Sequence, residues 1–316
     1  MIFVLTKVVN IGIIRRICLK EVKILNIKNS PYPYAFCTSV FWSLAYVLTR
    51  ICKSYLNPVH IGVLRATIGM ITLLIVVFVL KMPLPRKKDF KWFLLAGVSG
   101  IFIYMISFNL GCTSVTTATG NVILAVAPAV TALGATVFFK EHLRGFQWIA
   151  IGISFVGVLI LCLMNGGFSI NVGILWLLLS MFLMSVYNLM QRYLSKSYPS
   201  LSVTAFSFAF GVVELGLFAP QAYVEIFHVP AKIVLLVLVL GVVCSGLSYC
   251  TWTIAFSKAK NASTVSNFMF INPFISTFFA TILIGDPIES SALIGGGVIM
   301  IGMFLFNFGE KFIKAK

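Results

Sequence analysis

The sequence predicts an all-α polytopic membrane protein with ten transmembrane helices arranged as two inverted five-helix repeats. Sixty per cent of the 316 residues are hydrophobic and only 10% are charged, whereas a soluble domain carries about 25% charged residues. The mean hydropathy is +1.04. Residues 125–141 recur in altered form at residues 270–286, a shift of 145 positions. Such a duplication inside an apolar chain is typical of membrane transport proteins.

Ten segments fulfil the requirement for a membrane span, which is about 20 mostly apolar residues. They are residues 34–50, 58–80, 90–110, 118–139, 146–164, 172–190, 201–222, 233–256, 262–284 and 291–308. The connections are short, and several contain glycine or proline, which favour turns. The first repeat is therefore expected at residues 31–165 and the second at residues 170–308, with a short basic tail at residues 309–316.

Residues 1–30 form a basic N-terminal extension that the periodicity does not explain. Its first apolar stretch is too short to span a membrane, and its arginines follow that stretch, which is the reverse of a secretory signal. Three interpretations are open. The segment is an amphipathic helix on the inner leaflet, a poorly ordered extension, or the product of a start codon placed too early.

Lysine and arginine are distributed unevenly between the two sides of the predicted membrane. With the N-terminus inside, twenty of the 24 basic residues fall in cytoplasmic segments, and Arg50, Lys53 and Lys232 fall on the opposite side. This bias predicts a multi-pass protein of the cell inner membrane with both termini in the cytoplasm. It also accounts for most of the net charge of +16, so nucleic acid is not needed as a partner.

The repeat is recognised from residues that recur at fixed spacings rather than from identical stretches of sequence. Because each copy contains five spans, an odd number, the second copy crosses the membrane in the opposite direction, as alternating access requires. Residues 142 apart match in the first span of each half, and residues 145 apart match later in each half. The pairs are Ser43 with Ser185, Arg50 with Arg192, Pro128 with Pro273, Glu141 with Asp286, Gly152 with Gly297 and Gly157 with Gly302.

Several motifs resemble EamA-type transporters of the drug/metabolite transporter superfamily. The motifs are FWSLAYVLTR followed by Pro58 and Arg65, then GCTSVTTATGNV, Pro128, and FKE before a glycine-rich fifth span. The resemblance covers about residues 34–308. It implies a ten-helix secondary transporter with a substrate cavity lined by the first, third, fourth, sixth, eighth and ninth helices. Two departures are Asp286, where the family more often has glutamate, and Ser207, which stands where a second copy of Arg65 would lie.

The helices that the resemblance assigns to the cavity carry aromatic and amide side chains, which suit an amphipathic organic solute. The candidates are Trp42, Tyr46, Tyr104, Tyr187, Asn188, Tyr249 and Trp252. Against this interpretation, tyrosine and tryptophan near helix ends also anchor helices at the membrane interface.

The fourth and ninth spans each carry an amide one to two turns before a proline, in nearly the same geometry: Asn121 with Pro128, and Asn267 with Pro273. Proline removes a backbone donor and frees carbonyls in the preceding turn, and polar groups at mid-depth are costly unless they face a cavity or another helix. A pair of broken helices at the midplane therefore predicts a binding floor. The alternative is that these residues only join helices.

Four charged residues are candidates for coupling or gating. Arg65 and Glu214 lie inside spans at matching depth, so an ion pair, an anion site at Arg65 and a proton carrier at Glu214 are all open, as is a structural role. Glu141 and Asp286 close the fourth and ninth spans as gate residues or as solvated helix ends. Glycines in the fifth and tenth spans favour close helix contact; the oligomeric state is open, with a homodimer as one alternative.

The sequence contains no phosphate-binding G-x-x-x-x-G-K-[ST] loop, no clustered metal ligands and no recognisable Ser/His/Asp set. It therefore predicts neither an enzyme nor a bound metal or cofactor. The function that it favours is a secondary active transporter that exports a small organic metabolite such as an amino acid. The expected partners are that solute, the lipid bilayer and, as a coupling ion, the proton. The alternative is a facilitative channel or a lipid-handling membrane protein without ion coupling.

Overall fold

The computed structural model describes residues 30–140, 142–164, 171–258, 265, 267–288 and 290–313. Within these residues all regular elements are helical. We number the longer helices as follows: α1 Tyr32–Cys52, α2 Pro58–Val79, α3 Lys87–Cys112, α4a Thr117–Leu124, α4b Ala127–Phe139, α5 Gly145–Met164, α6 Val172–Leu194, α7 Ser200–Phe218, α8 Ala231–Phe256, α9 Asn272–Ile284 and α10 Ser290–Ile313.

The helices identify a multi-pass membrane protein. In the part of the chain that the structure describes, seven are long and apolar enough to cross a bilayer, namely α1, α2, α3, α4, α6, α7 and α8, while α5, α9 and α10 contain shorter apolar stretches. Large hydrophobic side chains lie on the outer surface, and Phe138 is 70% exposed. An apolar exterior of this kind suits lipid rather than water.

The helix boundaries differ from the predicted spans mainly at the ends. α7 ends at Phe218 rather than at residue 222, because Pro220 cannot continue the helix. α10 continues to Ile313, so the first residues of the predicted tail are helical. Residues 1–29, which make up nearly all of the predicted basic extension, lie outside the described residues, as do residues 314–316.

The boundaries also recur at the spacings that the sequence repeats. α4b and α9 begin and end 145 residues apart, and each is followed by a residue of left-handed conformation, Lys140 (φ 54°) and Gly285 (φ 64°). α5 and α10 begin 145 residues apart. α1 and α6 end 142 residues apart, and α2 and α7 begin 142 residues apart.

Four helices are interrupted near the middle of the bundle. Pro128 and Pro273 lie in the first turn of α4b and α9, where a missing N–H is tolerated. A non-helical turn at residues 125–126 precedes α4b, and a 3-10 turn, Asn267–Ile271, precedes α9. α3 and α8 each contain a π-helical turn, Val98–Phe102 and Val242–Leu247. Such turns change the direction in which the following side chains point.

Two apolar cores hold the bundle together. The larger joins α2, α3, α7 and α8 and includes Leu73, Phe93, Phe208 and Leu240. The smaller joins α4, α5, α6 and α10.

The helix pair α5 and α10 has the most extensive contact and runs antiparallel. Gly157 lies against Ile299, and Gly302 lies against Ser154. An added Cβ at either glycine would lie 2.7 Å from a backbone atom of the other helix, so only glycine permits this approach.

Candidate functional site

A cavity lies at the centre of the bundle, between α1, α2, α3, α4, α6, α8 and the start of α9. Its empty space, including the part that is continuous with solvent, is about 750 Å³. The lining is mostly aromatic and apolar, with a few polar side chains. It comprises Trp42, Ala45, Tyr46, Arg65, Tyr104, Met105, Phe108, Asn121, Leu124, Ala125, Ala127, Met184, Tyr249, Met269 and Asn272.

Five of the aromatic and amide candidates line this cavity: Trp42, Tyr46, Tyr104, Asn121 and Tyr249. The Trp42 indole N–H donates to Ser248 Oγ at 3.1 Å, and its ring meets the Tyr249 ring edge-on, with centroids 5.8 Å apart. Asn121 Nδ2 donates to the Thr117 carbonyl one turn earlier, at 2.9 Å. These contacts fix the orientation of the side chains around the empty space.

Arg65, on α2, brings a positive charge to the same cavity. The residue is 6% exposed. Its Nε donates to Ser245 Oγ at 2.9 Å, and its guanidinium carbon lies 5.4 Å from the centre of the Phe108 ring. Its Nη1 has no hydrogen-bond partner among the described residues. An arginine at the centre of a membrane helix costs about 2.5–3.5 kcal/mol on insertion scales, so it needs a compensating contact.

The acidic side chains that the structure describes do not supply that contact. Asp89 accepts a hydrogen bond from the Tyr198 hydroxyl at 2.6 Å, Glu225 pairs with His60, and Asp286 pairs with Arg50. Burial, together with the Asp89 hydrogen bond, raises the pKa of Tyr198, which lies in the loop between α6 and α7.

Glu214 on α7 is the remaining acid whose side chain is described, and its buried Oε2 makes no hydrogen bond within the described part of the chain. The Arg65–Glu214 ion pair that the sequence left open is not formed between these two described residues. Arg65 is therefore buried and Glu214 half-buried, and the two groups do not pair with each other.

Asp286 joins three cavity helices at one end of the bundle. Its carboxylate pairs with the Arg50 guanidinium at the end of α1, and it accepts the backbone N–H of Thr117, at the start of α4, at 2.9 Å. Arg50 Nη1 also lies 3.4 Å from Thr117 Oγ1. We call Arg50, Thr117 and Asp286 the Arg50 junction. Glu141, the equivalent of Asp286 in the first half, lies outside the described residues.

Four of the predicted binding residues do not line this cavity. The Tyr187 hydroxyl accepts from Gln191 Nε2 at 2.5 Å, and its ring lies against Gly100 of α3. Asn188 Nδ2 donates to Thr131 Oγ1 at 3.3 Å. The Trp252 ring packs on the Trp42 ring, with centroids 5.0 Å apart. Pro128 lies in the first turn of α4b; the side chains of Asn267 and Pro273 lie outside the description. The binding role of all six stays a prediction.

Several lining residues were not identified from the sequence. Phe108 follows Tyr104 by one helical turn and stacks on it, with centroids 5.7 Å apart. Asn272 precedes Pro273 as Ala127 precedes Pro128, and its Oδ1 has no hydrogen-bond partner among the described residues. The spacing of Phe108 from Tyr104 and the position of Asn272 before Pro273 could have identified both residues from the sequence. Met105, Met184 and Met269 carried no such signal, because an apolar residue in an apolar helix does not reveal which way it faces.

A metal site is not indicated for the described residues, which contain no group of three or more His, Cys, Asp or Glu side chains placed to hold an ion. The chemistry that the cavity offers is reversible binding. It provides aromatic faces, one guanidinium and a few hydroxyl and amide groups.

Sequence comparison assigns the chain to a known protein family. The sequence profile of the EamA-like transporter family matches residues 29–163 and again residues 171–308. The chain is similar to an uncharacterised transporter of Bacillus subtilis, YdfC, at 26% identity over 269 residues, which cover 84% of this chain and 87% of the relative.

The chain is also similar to a probable terminal-alkyne amino-acid exporter of Streptantibioticus cattleyicolor, at 23% identity over 270 residues, or 85% and 91% of the two chains. A solved crystal structure shares the fold with a TM-score of 0.59 at 18% identity, covering 86% of this chain and 94% of that one.

Proposed function

Because the chain belongs to the EamA-like transporter family, we propose that it is a secondary active transporter that exports a small organic metabolite by alternating access. The observation that carries the proposal is the Arg50 junction beside the central cavity. One buried carboxylate, 7% exposed, joins the ends of α1, α4 and α9. A cavity of this kind opens when those three helix ends separate, and breaking one ion pair and one hydrogen bond releases them together.

The proposed architecture is ten spans in two inverted repeats, at residues 31–165 and 170–308, in the inner membrane with both termini in the cytoplasm. Three observations support it: the family profile matches twice, helix boundaries recur 142 or 145 residues apart, and α5 runs antiparallel to α10. The excess of basic residues in the segments assigned to the cytoplasm supports the orientation. In this arrangement the Arg50 junction lies on the outer side.

An amino acid is the proposed type of solute. The relative from Streptantibioticus cattleyicolor is named a probable exporter of an amino acid, and the cavity combines aromatic walls with a few polar groups. Glu214 is the proposed proton carrier, because its buried Oε2 has no partner among the described residues and a protonated carboxyl is the cheaper form in an apolar site. The competing proposal is a facilitative channel without ion coupling.

A transport assay in proteoliposomes tests the proposal. Vesicles with the purified protein are loaded with a mixture of unlabelled amino acids, and uptake of each labelled amino acid is measured with and without an imposed pH gradient. We expect saturable uptake that unlabelled solute on the opposite side accelerates, and stimulation by the gradient that Glu214→Gln removes. Non-saturating flux that ignores both solute and gradient would indicate the channel.

A further inference from the structure

We infer that the cavity contains an anion subsite in which Arg65 Nη1 and the Tyr46 hydroxyl bind the carboxylate of the transported solute. This inference rests on the proposed function and narrows its substrate class. The solutes that fit carry one carboxylate and a compact apolar body.

The geometry of Arg65 points to a ligand rather than to a structural role. Its Nε is held by Ser245 Oγ at 2.9 Å, and the Phe108 ring lies 5.4 Å from its guanidinium carbon. These contacts hold the guanidinium in one position at the cavity wall. Nη1 is left without a hydrogen-bond partner among the described residues. A positioned guanidinium with an unused donor is well suited to a carboxylate, which accepts bidentate hydrogen bonds.

The second donor comes from α1. Tyr46 is 4% exposed, lines the same cavity, and has a hydroxyl without a partner within the described part of the chain. Its ring is fixed edge-on against Phe108, with centroids 5.0 Å apart. A buried hydroxyl that donates to nothing is unusual. Arg65 and Tyr46 both lie against the Phe108 ring, so one carboxylate beside that ring would satisfy both groups.

The acidic side chains that the structure describes supply no alternative anion. Asp89, Glu225 and Asp286 are hydrogen-bonded or paired elsewhere, and Glu214 does not pair with Arg65. The equivalent of Arg65 in the second half is Ser207, whose hydroxyl donates to the Val203 carbonyl at 2.7 Å. Among the described residues that line the cavity, Arg65 is the one cation, which fits a monoanion rather than a dianion.

The rest of the lining fits the remainder of such a solute. Trp42, Phe108 and Met184 provide an apolar wall. Asn272 Oδ1 is an acceptor without a partner among the described residues, so it can take a hydrogen bond from an N–H group of the solute. Amino acids and simple carboxylic acids share the carboxylate, and the experiment separates them.

The experiment uses four ligands with one isobutyl body: leucine, 4-methylpentanoate, leucinamide and 3-methylbutylamine. Their binding to the full-length purified protein is measured as the rise in apparent melting temperature with ligand concentration. We expect leucine and 4-methylpentanoate to bind and the two ligands that lack a carboxylate to bind at least tenfold more weakly. Tighter binding of leucine than of 4-methylpentanoate would identify an amino acid as the solute, and equal binding a simple carboxylic acid.

Two variants assign the effect to the subsite. Arg65→Gln is expected to weaken carboxylate binding about tenfold to a hundredfold, which is the loss of a hydrogen bond to a charged group. Tyr46→Phe removes one oxygen without changing the shape of the side chain and is expected to weaken it about threefold to tenfold. Lys232→Gln, which removes a cation outside the cavity, is the matched control and should bind like the unmodified protein.

The inference is overturned if the amide and the amine bind as well as the carboxylates, if no carboxylate binds, or if Tyr46→Phe and Arg65→Gln both retain full carboxylate affinity. Should Arg65→Gln fail to fold, Tyr46→Phe alone decides. Saturable, solute-accelerated flux in the proteoliposome assay could still be observed after such a result. The two assays therefore distinguish failure of the anion subsite from failure of the proposed transport function.

Discussion

The contact of α1 with α9 and the contact of α6 with α4 contain equivalent hydrogen bonds near the bundle centre, while the described contacts at their ends involve different groups. Ser43 Oγ donates to the Asn272 carbonyl at 3.2 Å, and Ser185 Oγ donates to the Ala127 carbonyl at 3.0 Å. The two serines are equivalent in the repeat, and so are the two carbonyls. Near the bundle centre, the two halves are therefore joined in the same way.

At the helix ends, the described contacts involve different groups. Arg50 pairs with Asp286, and the guanidinium carbon of Arg192 lies 5.0 Å from the centre of the Phe139 ring, which Lys196 also approaches at 5.2 Å. Glu141, the equivalent of Asp286, lies outside the described residues. The comparison teaches that the duplicated parts near the centre form a common frame, which is what the proposed alternating access needs.

The largest expected effect is at the Arg50 junction. Asp286→Asn leaves the partly buried Arg50 without its counter-ion, and breaking a buried pair costs about 3–5 kcal/mol, less where water reaches it. We expect labelling of Cys112, which is buried against Tyr46 and Phe108 of the cavity wall, by a membrane-impermeant maleimide to rise at least tenfold. The measurement uses protein in which Cys112 is the single remaining cysteine.

The control for the Arg50 junction is Glu225→Gln, which breaks the ion pair with His60 and leaves the junction intact. Its labelling rate should equal that of the unmodified protein. If Asp286→Asn does not accelerate labelling, the junction does not close the cavity.

The next effect tests the symmetric frame at the helix pair α5 and α10. Gly157→Ala and Gly302→Ala each place a methyl group against the backbone of the other helix. Overpacking of this kind costs about 1–3 kcal/mol, and equivalent positions should lose similar amounts in unfolding titrations with denaturing detergent. Gly152→Ala is the matched control, because its added Cβ meets nothing within 4 Å. A cost at Gly302 that is absent at Gly157 would argue against the frame.

A smaller effect is expected at the end that carries Arg192. Phe139→Leu removes the ring that Arg192 and Lys196 approach. Cation–π contacts at exposed sites contribute about 0.5–1 kcal/mol, so the unfolding free energy should fall by that amount. Phe138→Leu, at a neighbouring ring that is exposed on the outer surface, is the control and should change it less. Equal losses at both positions would mean that the approach of Arg192 and Lys196 to the Phe139 ring adds nothing measurable to stability.

The smallest effect is at the shared hydrogen bonds. Ser43→Ala and Ser185→Ala should each lower the unfolding free energy by about 0.6 kcal/mol, the average for hydrogen bonds between membrane helices. The informative quantity is the difference between the two variants, which should be close to zero. A clear difference would mean that the frame is not shared at this point.

The sequence predicted the elements that depend on local chemistry. Pro128 and Pro273 lie where helices restart, since proline lacks the N–H that a continuing helix needs. The repeat spacing also correctly aligned the ends of helices. A helix break or a helix end depends on local chemistry, so it can be predicted without knowing which helix lies next to it.

Helix facing could be predicted only in part. Tyr187 packs against α3 beside Gly100 rather than into the cavity, because the facing of α6 depends on how closely α3 approaches it. The side of α2 that Arg65 occupies likewise depends on Ser245 of α8. A periodicity of 3.6 residues defines a stripe on each helix but does not say which neighbour covers it.

The π-helical turns in α3 and α8 determine which side chains reach the cavity. Each turn accommodates one residue more than a regular turn, and one residue corresponds to about 100° of rotation around the helix axis. Tyr104 and Tyr249 follow these turns and face the central space. Deleting one residue from either turn would rotate the tyrosine that follows it away from the cavity. The wall would then have a gap, although none of the residues that line the cavity would have been replaced.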